Sequence, residues 1–148
     1  MILADFKDFP KTGRIIGIDW GARRTGVAIT DESREFVFSR PLITPMGDRT
    51  ILKQIVDLIN TEKVSGIIIG LPLRMDGTES DTTKNVRDFA NSVAEKIDIP
   101  ICFLDETLTS VSAQESMGRV RVHDIKQQLD SESARVILEN AIAIINRL

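Results

Sequence analysis

The chain has 148 residues, a formal net charge of −3, a single cysteine and a single histidine. One domain is the natural count at this length, and it buries about 68–70% of its unfolded surface, so no disulfide or structural metal is needed for folding. Lone Cys102 and lone His123 exclude a Cys/His zinc site, and an acidic balance excludes attachment to nucleic acid by bulk charge, though a local basic patch can still meet phosphate.

Residues 1–13 read as a loosely held N-terminal arm and residues 14–148 as the domain proper. Met1–Lys11 carries two aspartates and lacks the apolar core of a secretory signal, and no segment approaches the ~20 apolar residues of a membrane span, so a cytoplasmic protein with no membrane partner is expected. Arg14 to Trp20 alternates apolar residues with glycine and predicts a strand. Thr25 to Asp31 and Glu35 to Ile43 continue the strand pattern, giving an antiparallel meander of three strands. Pro41 and Pro45 suit an edge, because proline cannot donate to a ladder. Asp48 is placed to cap a helix running to about Glu62, whose Ile51, Leu52, Ile55, Val56, Leu58 and Ile59 recur at helical spacing. Val64 to Gly70 is wholly apolar, as in a strand buried on both faces. A loop from Leu71 to Ser80 follows, then a helix from about Asp81 to Ile97 and a second buried strand from Ile99 to Leu104, in which Cys102 is expected to pack. A helix near Thr109 to Met117, a polar loop and a last helix from about Asp130 to Asn146 complete the chain.

The order βββ-α-β-α-β-α predicts an α/β fold. Its central mixed five-stranded sheet has three antiparallel strands followed by parallel ones and is flanked by helices. Right-handed crossovers place the first strand in the centre, with Asp19 at its carboxyl end, where ligand sites of such sheets gather. Gly17-Ile18-Asp19-Trp20-Gly21-Ala22-Arg23-Arg24-Thr25-Gly26 reads as strand, tight turn and strand, with one carboxylate beside two arginines. Asp105-Glu106 ends the last strand and Asp130 opens the final helix. Carboxylates converging at one edge bind Mg²⁺ or Mn²⁺, and two such ions about 3.5–4 Å apart can activate water and stabilise the leaving oxygen of a phosphodiester.

Each residue also has a plainer role. Asp19 can be a turn residue bonding its own backbone, Asp130 an N-cap, and Asp105 or Glu106 the partner of an arginine. Strand alternation sends Asp105 and Glu106 to opposite faces, so at most one faces the site; Glu106 has the longer reach and Asp105 is its rival, and with Glu106 as the ligand Asp105 is expected to serve a buried or capping hydrogen bond. Asp76 is a weaker candidate farther along its loop. Gly21 and Gly26 allow unusual backbone angles and close approach of phosphate, and Arg23 and Arg24 can clamp phosphate with planar donor forks. Arg74, Lys84, Arg87, Arg119, Arg121, His123 and Lys126 could extend a basic track, although solvated charge is the ordinary role of each. There is neither a P-loop nor a Gly-x-Ser-x-Gly elbow.

Four segments together resemble the YqgF/RuvX family, whose members are described as Holliday junction resolvases and as pre-16S rRNA nucleases. They are Gly17 to Ala28, Gly70 to Glu79, Asp105 to Ser110 and Asp130 to Leu138, in the family's order, and the match covers about residues 14–145. The resemblance implies an RNase H-like fold and a divalent-metal nuclease maturing the 5′ end of 16S rRNA. It implies Asp19, Glu106 and Asp130 as catalytic residues and metal ligands, with Arg23, Arg24 and Arg74 holding substrate. Two positions depart from the family: Thr107 stands where arginine is usual, and Ser133-Ala134 where two alanines are usual. Three other readings remain open. They are a junction-DNA resolvase, a non-catalytic binder of nucleic acid or ribosomal particles, and the phosphate turn of actin-like ATPases and sugar kinases, for which the chain is short. The subunit would be a monomer or a homodimer, the latter required to cut a junction symmetrically.

Overall fold

The computed structural model describes the backbone of residues 1–106 and 122–148, and the side chains of 1–106 and 132–148. Its centre is a five-stranded sheet in the order β3-β2-β1-β4-β5. Strand β1 (Ile15–Asp19) pairs antiparallel with β2 (Thr25–Thr30), which pairs antiparallel with β3 (Val37–Ile43). On its other side β1 runs parallel to β4 (Gly66–Leu71), and β4 to β5 (Ile101–Asp105). The first strand is therefore central, as the crossover rule requires. Pro41 lies in the edge strand β3, while Pro45 falls beyond its end.

The period of two along each strand divides the core. Ile16 and Ile18 of β1 and Ile67 and Ile69 of β4 pack with helices α1 (Ile51–Glu62) and α2 (Asp81–Lys96), through Ile55, Ile59, Val86, Phe89 and Val93. Ile15, Ile68, Cys102 and Leu104 face the opposite way, onto Ala134, Ile137, Leu138 and Ala141 of helix α3 (Val122–Asn146). Here Gly17 is required. A Cβ on it would lie 2.9 Å from the Leu138 Cβ and 3.0 Å from the Ala134 carbonyl oxygen. The helix presses directly on the strand that carries Asp19, and Ser133 and Ala134 are both buried at that contact.

Helix starts differ from expectation in two places. The cap of α1 is Thr50, not Asp48; its hydroxyl accepts from the Lys53 N–H at 3.1 Å. Helix α3 begins at Val122, eight residues before Asp130. Asp130-Ser131 has the residue types of a helix start, but Lys126-Gln127-Gln128-Leu129 are good helix formers and carry the helix through it. The helix expected near Thr109 to Met117 lies outside the described residues.

The N-terminal arm is not loosely held. The Leu3 N–H donates to the Ile101 carbonyl at 2.7 Å and the Ile101 N–H to the Met1 carbonyl at 2.8 Å, so the arm pairs with the outer edge of β5. Phe9 is 2% exposed, its ring seated over Gly66, where a Cβ would meet it at 2.5 Å. Replacing Phe9 with alanine is expected to lower stability by about 3–5 kcal/mol in urea denaturation, the usual cost of emptying an aromatic site. A loss under about 1 kcal/mol would show that the arm is peripheral to the core.

Candidate active site

Asp19 ends β1 on the same face as Ile15 and Gly17, the face covered by α3. On β5 the residues facing α3 are Cys102 and Leu104, and the same alternation brings Glu106 to that side. The Glu106 N–H donates to the Leu71 carbonyl at 3.2 Å, which carries the strand pairing one residue beyond β5. Strand β4 lies between these two strands, and its residue at this level is Gly70. A Cβ there would stand 2.7 Å from Glu106 Oε2 and 2.5 Å from the Ile137 Cδ1. The absence of a side chain at Gly70 is what lets the Glu106 carboxylate reach across β4 toward Asp19. An isolated glycine in an otherwise apolar strand is the sequence signal for such a gap.

Glu106 Oε2 is buried and finds no hydrogen-bond partner among the described residues. Burial, and then the charge of Asp19, push the Glu106 carboxyl up to about 8. Two carboxyl groups held together away from water resist double ionisation unless a cation joins them. Asp105 faces the other way and is exposed, opposite Leu71 in the register. Its exposure rules out the buried hydrogen bond expected of it, because the strand has passed the last core layer there; the capping bond that was the other expectation involves residues outside the described ones.

Asp130 lies inside α3, so it is not the N-cap of that helix. It stands one helical turn before Ala134, whose carbonyl lies against Gly17, two residues from Asp19 in β1. Its side chain, and those of Thr107, Thr109, Ser110, Arg119, Arg121, His123 and Lys126, lie outside the described residues. Among the described residues no group of three potential metal ligands occurs; Asp19 and Glu106 form the described pair.

The turn after β1 folds back on itself. The Gly21 N–H donates to the Thr25 hydroxyl at 3.2 Å, and that hydroxyl donates to the Gly21 carbonyl at 3.1 Å. A Cβ on Gly21 would collide with the Arg24 carbonyl oxygen. Positive φ occurs at Gly13, Gly47 and Gly77 but not at Gly21 or Gly26, so Gly21 is needed for space and not for an unusual backbone angle. The turn opens a recess of about 610 Å³ lined by Asp19, Trp20, Gly21, Ala22, Arg23, Arg24 and Thr44. Arg23 and Arg24 thus border the same space as Asp19. Arg74 is exposed in a turn after β4, its N–H donating to the Thr78 carbonyl at 2.9 Å. Asp76 is exposed in that same turn and accepts from the Thr78 N–H and hydroxyl at 3.0 and 2.6 Å, which holds its carboxyl below the usual range. Arg87 is engaged by Glu79 at 2.7 and 3.2 Å and lies 5.3 Å over the Phe103 ring, so it is a poor member of a phosphate track.

The fold, a mixed five-stranded sheet of three antiparallel and then parallel strands flanked by helices, is RNase H-like. Among solved structures, Thermus thermophilus RuvC in complex with a Holliday junction substrate superposes with a TM-score of 0.56 at 8% identity, covering 90% of this chain and 96% of that one. The fowlpox virus Holliday junction resolvase superposes at 0.55 and 8% identity, covering 89% and 99%. At such identities the likeness is one of fold. The chain belongs to the RuvX family, described as Holliday junction resolvases, whose family model matches residues 13–143. A relative from Maridesulfovibrio salexigens, named "Putative pre-16S rRNA nuclease", is 36% identical over 132 residues, covering 88% of this chain and 98% of its own. One of the same name from Rickettsia peacockii is 30% identical and covers both chains in full.

Substituting Gly70 with alanine is expected to displace the Glu106 carboxylate and reduce cleavage by about a hundredfold, the cost of a misplacement near 1 Å. Stability should fall as well, through Ile137. Unchanged cleavage by a folded Gly70→Ala protein would show that Glu106 does not need the gap.

Proposed function

We propose that this chain is a divalent-cation-dependent nuclease of the cytoplasm that hydrolyses phosphodiester bonds in pre-16S rRNA and matures its 5′ end. The observation that carries the proposal is the buried Glu106 Oε2 beside Asp19, which finds no hydrogen-bond partner among the described residues. An all-oxygen pair of this kind fits a hard cation, Mg²⁺ or Mn²⁺, and does not fit a soft one. Asp19, Glu106 and Asp130 would hold it. When bound, such a cation polarises a phosphoryl oxygen and lowers the pKa of a coordinated water.

The chain's own residues do the rest. Arg23 and Arg24 meet the backbone phosphate from the turn that also carries Asp19, and the Thr25 hydroxyl fixes that turn. Arg74 extends the contact along the strand. Asp19 and Glu106, on opposite sides of β4, set where the reacting phosphorus lies relative to the arginines.

Replacing both Arg23 and Arg24 with alanine is expected to weaken RNA binding equally across sequences. It should also reduce the slope of log affinity against log salt by about 1–1.5, the value for two contacts to a single strand. Loss confined to one sequence would mean that these arginines read bases.

The names of the relatives favour RNA. The family description favours a second substrate, the four-way DNA junction. Symmetric cutting of a junction needs two active sites, hence a homodimer, whereas hydrolysis of one RNA strand needs only a monomer. Cleavage assays on both substrates, paired with a solution mass, separate the two; a ribosomal particle as the working substrate would show as faster cleavage of particle-bound RNA. Among the described residues no helix is long and apolar enough to cross a membrane.

A further inference from the structure

Trp20 borders two spaces. On one side is the recess of Asp19 and the arginines; on the other is a cavity of about 470 Å³ between α1 and α2. Ala22 is shared in the same way. The walls of the second cavity are apolar and partly aromatic. Trp20 packs on Phe89 with centroids 5.9 Å apart and planes inclined by 32°, and Ile51 and Pro45 complete the lining. Its polar side chains are Asn85, Asp88 and Ser92, a stripe of α2 at helical spacing, and Thr50 at the start of α1. The Ser92 hydroxyl donates to the Asp88 carbonyl at 3.0 Å and keeps its own lone pairs for a ligand. Asn85 and Asp88 border the cavity from its solvent side. None of these residues has a part in the carboxylate chemistry.

We infer that this cavity receives one unstacked nucleobase of the strand whose phosphate lies at Asp19, an inference that rests on the nuclease reading above. A base needs a flat apolar wall for its face and donors and acceptors for its edge, and single-stranded RNA is read by aromatic stacking combined with such edge contacts. The cavity offers both, at a size within the range of small-ligand sites. Its wall residue Trp20 also borders the recess of Asp19 and the arginines, so a strand held in that recess can pass a neighbouring base into the cavity around this side chain. Unstacking the neighbouring base also holds the backbone open at the bond to be cut. Asp88 can only accept, so it meets a base edge that donates, while the Asn85 amide can pair with either a donor or an acceptor.

Trp20 is the single tryptophan of the chain, so its emission reports on the cavity. The test titrates the wild-type protein with 5′-labelled RNA strands in Ca²⁺, following anisotropy of the label and Trp20 fluorescence together, with an abasic site moved along the strand. Trp20 quenching should accompany binding. One abasic position should weaken affinity at least about fivefold, the lower end of base–aromatic stacking, and should remove the quenching. Asn85→Ala should weaken the intact strand and leave the strand abasic at that position unaffected. The inference is overturned if RNA binds and, in Mg²⁺, is cut, while emission stays constant and all abasic positions behave alike. If no RNA binds at all, the nuclease reading on RNA falls, and this inference with it.

Discussion

Glu106→Gln is expected to stabilise the cation-free protein at pH 8 while abolishing cleavage. The Glu106 carboxyl is raised from 4.5 to about 8 in the folded chain. Between those values the folded state keeps a proton that the unfolded state releases, so stability falls as pH rises through this window and levels off above it. Glutamine has the same shape and cannot ionise, so its stability lacks this decline. The two proteins should be similar near pH 4.5 and differ by on the order of 4 kcal/mol at pH 8, in favour of the variant. Mg²⁺ should raise the melting temperature of the wild type far more than that of the variant, because a ligand stabilises only the state that binds it. Urea denaturation in a chelator at several pH values reads the first effect, and melts with added Mg²⁺ the second. Parallel pH profiles for the two proteins would mean that Glu106 is not held in an ionisation-averse site.

Asp19→Asn is the second large effect. Asparagine preserves the shape at the end of β1 and removes the charge that contributes to raising Glu106. Cleavage should fall by at least about a thousandfold, as when a member of a catalytic unit is lost. The Glu106 carboxyl should titrate lower than in the wild type, because one of its two causes of elevation is gone, leaving burial as the other. Near-wild-type cleavage by a folded variant, or an unchanged Glu106 titration, would separate the two carboxyl groups functionally.

Strand alternation makes much of this site legible in the sequence. The pattern Ile15-Ile16-Gly17-Ile18-Asp19 fixes both a buried strand and the face on which its final carboxylate lies. The same parity separates Asp105 from Glu106, and the structure sends them to opposite faces. What stays hidden depends on contacts between distant segments. Gly70 looks like one more small residue in an apolar run until β5 and Ile137 are brought over it. Phe9 belongs to an arm with no strand pattern of its own; only the free edge of β5 and the gap at Gly66 give it a place. Asp130 misleads because its residue type favours a cap, while the favourable helix formers before it decide the outcome. Arg87, one of several cations in the sequence, is set apart by Glu79 and Phe103, neither of which its spacing announces.

The central claim is that Asp19 and Glu106 form a cation-dependent phosphodiesterase centre. Its most direct measurement is cleavage of an RNA spanning the pre-16S 5′ leader by the wild-type protein, first in a chelator and then with Mg²⁺ or Mn²⁺ restored, beside Glu106→Gln under the same conditions. The expected result is no cleavage in the chelator, recovery with either cation, and none by the variant at any cation concentration. Equal cleavage in the chelator, or a variant as active as the wild type, would contradict it.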